Sequence, residues 1–223
     1  MNKDLKKMLK GVFVILLYLF YAYCFSWGLS QIGIKFNNLN LITKEIISLS
    51  TEFILITIII YIYRKDIVKS LKNFYNIHFS NYIKYLILAI GLMIISNVII
   101  YMITSIETSS NQQAIVDTLE EAPIYTCILA VIFAPVLEEL VFRLSFRKMF
   151  KTNTLFIIIS GLFFGFMHIS SSNNLLEFIY IIPYSIPGCV FAYTLTKSDN
   201  ICVPILLHFM HNSLIMLLQF SII

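Results

Sequence analysis

Two adjacent carboxylates and an arginine sit inside a run apolar enough to cross a bilayer, Val136-Leu137-Glu138-Glu139-Leu140-Val141-Phe142-Arg143. An ionisable group in hydrocarbon costs several kcal/mol, so a chain that keeps three there must pair them or use them. Nothing else in the sequence narrows the fold as much. Of the 223 residues, 59% are hydrophobic and 13% charged, about half the charged share of an ordinary soluble domain. No strict alternation of apolar and polar residues marks transmembrane strands. The expected fold is all-α. It is a single integral membrane domain over residues 1–223, a polytopic transmembrane helical bundle with an intramembrane polar cavity.

About seven spans are expected, over residues 11–34, 43–63, 82–104, 123–146, 154–169, 175–196 and 201–220. The first follows a basic start, but it is longer than a signal-peptide core and lacks a small-residue cleavage site, so it reads as a retained span. Residues 64–81, with Lys65, Lys69 and Lys72 among apolar neighbours, read as a short helix lying on the membrane surface. With the N-terminus in the cytoplasm, thirteen of the 16 Lys and Arg fall on the cytoplasmic side of this seven-span scheme. Residues 105–122 carry Glu107, Asp117, Glu120 and Glu121 and no basic residue, as suits the opposite face. The expected localisation is a multi-pass protein of the cell membrane. Cys24, Cys127, Cys189 and Cys202 have no paired spacing and read as buried free thiols.

Helix geometry divides the charges. Glu139 and Arg143 are four residues apart and share a face, so a buried ion pair is expected. Glu138 points about 100° away and is uncommitted. Pro135 cannot donate to the helix ladder, so it should kink the span or free a carbonyl. His168 ends Phe164-Gly165-Phe166-Met167-His168, with Phe164 one turn below its ring. His208 and Asn212 share a face of the last span, whereas His211 faces partly elsewhere and its role stays open. Taking the fourth and fifth spans as a hairpin, Glu138 and His168 are each fifteen residues from Asn153, hence level. Glu138 then lies roughly 13 Å from Arg147, and His208 roughly 10 Å from Ile201. These depths place the site in the cytosolic half, opening toward the cytosol. A glutamate that takes a proton from water suits hydrolysis, and histidines can orient that water or bind a metal. His and Asn donors can stabilise an oxyanion. The chain has no HExxH, GxSxG or GxGD pattern.

Glu138-Glu139-x-x-x-Arg143, Phe164-x-x-x-His168 and His208-x-x-x-Asn212 resemble the three motifs of the CPBP family, the CAAX-protease and bacteriocin-processing (Abi) membrane proteins. The resemblance covers residues 120–215, which would form a CAAX-protease-like catalytic core. It implies an intramembrane endopeptidase acting near the cytosolic membrane face, with Glu138 and His168 activating water. His208 and Asn212 would form an oxyanion hole or serve as further ligands, with Glu139, Arg143 and Phe164 supporting the site. Glu138, His168 and His208 could hold Zn2+ or work without a metal, and both remain open. The implied partners are the lipid bilayer and a peptide or small-protein substrate, with no nucleic acid. In bacterial members this suggests maturation of a peptide pheromone or bacteriocin, or self-immunity to a bacteriocin. The alternative is a non-catalytic immunity or receptor protein that keeps the same fold.

Overall fold

A computed structural model describes residues 2–172 and 174–221. Its elements are α1 (Lys3–Gln31), α2 (Leu41–Phe74), α3 (Ser80–Thr104), α4 (Ser110–Glu121), α5 (Pro123–Met149), α6 (Asn153–Ile169), α7 (Ile181–Ser198) and α8 (Cys202–Phe220). A 3-10 turn over Leu175–Tyr180 leads into α7. Among the described residues, six helices are long and apolar enough to cross a membrane: α1, α2, α3, α5, α8, and α7 with its leading turn. The apolar α6 has 17 residues, about 25 Å of helix and a little short of a hydrocarbon core. Thus seven apolar helices stand close to the seven expected spans, and one of them is short.

The expected surface helix over residues 64–81 does not form as a separate element. α2 runs on through Arg64 and Lys65 to Phe74, 34 residues in all. Neither Gly nor Pro interrupts this stretch, so nothing forces the chain to turn at the membrane boundary. Asp66 also holds the extension in place, with Lys148 Nζ 2.8 Å and Lys10 Nζ 3.8 Å away.

Successive apolar helices run up and down, which gives the bundle two distinct ends. One end gathers the basic residues: Lys151 pairs with Asp4, Lys69 with Asp199, and Asn200 donates to the Ser70 carbonyl. At the other end Tyr23 reaches Ser170 and Tyr180 donates to the Ile106 carbonyl. The core lies around the second half of α5, where every residue from Glu139 to Ser145 is buried. Val14, Ile59, Tyr63, Phe142 and Phe156 belong to one core cluster and have no exposed surface. Three polar side chains beside it are matched: Tyr63 and Ser145 share a hydrogen bond of 2.8 Å, and Ser160 donates to the Phe142 carbonyl at 2.8 Å.

α6 and α7 pack backbone to backbone through small residues. A Cβ on Gly161 would overlap the Cys189 side chain and lie 2.8 Å from the Cys189 backbone nitrogen. One on Gly188 would lie 2.9 Å from the Gly161 carbonyl oxygen. Small residues let helices approach this closely in a membrane, where no hydrophobic effect presses them together. Gly161→Leu is therefore expected to destabilise the protein by about 1–3 kcal/mol. Gly91→Leu is the control, because a Cβ there meets nothing within 4 Å among the described residues. Thermal unfolding of both variants in detergent checks the difference.

Candidate active site

The site begins with two irregularities in α5. Residues Ile128–Phe133 and Glu139–Ser145 are π-helical, with the α-helical Ala134–Glu138 between them. Such wide turns leave backbone groups out of the usual ladder. The Ala134 N–H bonds five residues back, to the Leu129 carbonyl. In that register the next residue would serve Ala130, but it is Pro135 and has no hydrogen to give. The Ala130 carbonyl accepts instead from Asn212 Nδ2 at 2.8 Å. This is the freed carbonyl expected from Pro135, and the last helix fills it.

The second wide turn carries the charges. Arg143 Nε lies 3.1 Å from Glu139 Oε2, and both side chains are 0% exposed. The two are at ion-pair distance but out of line for a hydrogen bond. The other Glu139 oxygen meets His208 Nδ1 at 2.9 Å. An ionised carboxylate only accepts, so Nδ1 carries the hydrogen. His208 Nε2 then faces Glu138 Oε2 at 3.8 Å. Glu138 is 16% exposed and lies in no ion pair with Arg143. Glu139 therefore holds two partners, Arg143 and His208, where helix spacing alone pointed to the first.

Aromatic rings set the remaining groups. The Arg143 guanidinium lies over the Phe164 ring, 4.6 Å from its centroid. Phe164 in turn is 4.6 Å from the His168 ring and 5.8 Å from the His208 ring, centroid to centroid. His168 Nδ1 is 3.0 Å from the Phe164 carbonyl oxygen, which can only accept, so Nε2 is its free nitrogen. His168 also stacks on Tyr184 at 4.8 Å and 27°. The Tyr184 hydroxyl is 2.7 Å from Ser109 Oγ and accepts from Asn111 Nδ2 at 3.3 Å. Tyr184 was not singled out in the sequence. Only its position one residue after Pro183 could have drawn notice.

Glu138, His168, His208, His211 and Asn212 all line one cavity of about 350 Å³. His211 is 7% exposed, packs edge-on against Phe191, and has no hydrogen-bond partner for Nδ1 among the described residues. The other walls come from the second half of α3, residues 107–115, and the start of α7. These parts belong to the end of the bundle away from the basic residues. The expected site lay in the half of the bundle nearer the basic residues, whereas these walls stand toward the other end. The reason is depth. His168 is the sixteenth of the 17 residues of α6, about 22 Å along the helix from its basic start.

Among the described residues, no three His, Cys, Asp or Glu side chains stand close enough together to hold a metal ion. Glu138 and His208 approach one another, but His168 does not complete a set with them in this arrangement.

Residues 120–214 match the family model described as Rce1-like, type II CAAX prenyl endopeptidase. One curated relative is "Putative membrane peptidase YdiL" of Bacillus subtilis (strain 168), 32% identical over 114 residues. The match takes in 50% of this chain and 43% of the relative, so the chain spans less than half of that protein's length. No solved structure matches the chain. The matched region contains Glu138, Glu139, Arg143, His168, His208 and Asn212. Residues 120–214, the part that builds this polar cluster, are thus similar to the Rce1-like family of membrane endopeptidases.

Proposed function

We propose that the protein is an intramembrane endopeptidase that uses Glu138 as the base for a water held by His168. One observation carries this reading: Glu138, clear of the Arg143 pair, and His168 face the same cavity. In the proposed step, the Glu138 carboxylate takes a proton from the water while its oxygen attacks the scissile carbonyl. His168 Nε2 accepts the water's other hydrogen and aims it. The tetrahedral oxyanion is met by the Asn212 amide hydrogen not given to Ala130, and by His208 Nε2 when it carries a hydrogen. Glu138 then returns its proton to the leaving amine as the C–N bond breaks. No metal is needed for these transfers, and treatment with a chelator is expected to leave cleavage in place.

The proposed substrate is a bacterial peptide or small protein, such as a pheromone or bacteriocin precursor. The resemblance of the three motifs to bacteriocin-processing members supports this class, and the Bacillus subtilis relative, named a putative membrane peptidase, supports a peptide substrate. The test is reconstitution in liposomes with a labelled peptide library and mass analysis of the products. The wild type should release defined fragments. His168→Ala should release them at least about a hundredfold more slowly. Equal release by both, or none from the wild type, ends the reading.

A further inference from the structure

We propose that the peptide enters from the end of the bundle away from the basic residues, and that Gln112 and His211 hold its main chain. This rests on the endopeptidase reading and adds where the substrate comes from and what grips it. Ser109 starts α4 by accepting the Gln112 N–H on its hydroxyl at 3.2 Å. Ser110 anchors the next position: its N–H and hydroxyl donate to the two oxygens of Glu177, at 3.0 and 2.8 Å. Ser172 donates to the same carboxylate at 2.8 Å. The start of α4 is thereby fastened to the connection between α6 and α7, and Gln112 lines the cavity.

Gln112 Nε2 is buried there without a hydrogen-bond partner among the described residues, and so is His211 Nδ1. Buried polar atoms are nearly always paired, so two orphans in one cavity call for a ligand that pairs them. An acyl chain offers nothing to either. An extended peptide offers both carbonyl oxygens and N–H groups, and inside a membrane it needs partners for them. Gln112 Nε2 can donate to one carbonyl, while His211 can take an adjoining polar group. Met93, Ile115 and Met216 supply apolar wall for its side chains.

The direction follows from charge. Thirteen of the 16 Lys and Arg belong to the other side of the seven-span scheme, and residues 105–122 carry none. By the positive-inside rule the cavity end is the non-cytosolic one. Peptide therefore arrives from outside the cell or from the outer leaflet.

Right-side-out and inside-out membrane vesicles containing the full chain provide the test. The probe is a membrane-impermeant, internally quenched decapeptide pool, followed by its best-cleaved member. Right-side-out vesicles should cleave it and inside-out vesicles should not. Gln112→Leu and His211→Phe should each raise KM about tenfold while kcat changes less than about threefold. Gln113→Leu, whose native side chain only reaches Asp117 on the exposed face of α4, should behave as wild type. Cleavage by inside-out vesicles alone, or a wild-type KM in Gln112→Leu, overturns the proposal. If neither orientation cleaves, the endopeptidase reading fails, and binding of the labelled pool to the Glu138→Gln protein in the same vesicles decides. Binding confined to right-side-out vesicles and weakened about tenfold by Gln112→Leu keeps the proposal, and any other binding result overturns it.

Discussion

Glu138→Gln is expected to slow peptide cleavage by about two to four orders of magnitude, or about 3–5 kcal/mol of transition-state stabilisation. The amide has nearly the same shape as the carboxylate but cannot take a proton from water. Glu138 is well placed to be changed alone, because it lines the cavity and stands outside the Glu139–Arg143 pair. His208 Nε2 stands 3.8 Å from its carboxylate, beyond hydrogen-bond range. The variant should therefore fold and unfold like the wild type. Measuring initial cleavage rates beside thermal unfolding separates a lost base from a lost fold. A variant with wild-type rates would remove Glu138 from the chemistry.

The second large effect is on stability. Arg143→Met should destabilise the protein by about 3–5 kcal/mol, because it strands the Glu139 carboxylate in a fully buried place. His208 still touches Glu139, but it is also committed to the region around Glu138. The double variant Glu139→Gln/Arg143→Met removes both charges and should recover much of that loss. Thermal unfolding in detergent, with the single and double variants side by side, reads the coupling. If Arg143→Met unfolds at the wild-type temperature, the buried pair does not hold the wide turn of α5 together.

Several parts of this architecture were legible residue by residue. The apolar runs mark the helices, and the spacing of Glu139 and Arg143 marks their contact. The missing hydrogen of Pro135 marks a freed carbonyl. What fills that carbonyl was not legible, because Asn212 lies 82 residues away and reaches it through the tertiary fold. The His208–Glu139 contact spans 69 residues and was hidden for the same reason. The 3.6-residue period also lost force where α5 widens into π-helical turns, since faces there drift out of phase. The surface helix failed on a different ground. Basic residues among apolar ones fit a helix on a membrane equally well as the emerging end of a long span, and only packing against Lys10 and Lys148 decides.

The Pro135–Asn212 pair has a consequence for how such a protein can change over generations. A hydrogen absent from one helix is the reason an amide on another helix is anchored. The two positions are thus physically coupled, although they lie far apart in the chain. A lineage that exchanged the proline for a residue with its own N–H would release the asparagine from its bond to the backbone. Selection could then keep that asparagine only for what it does to substrate.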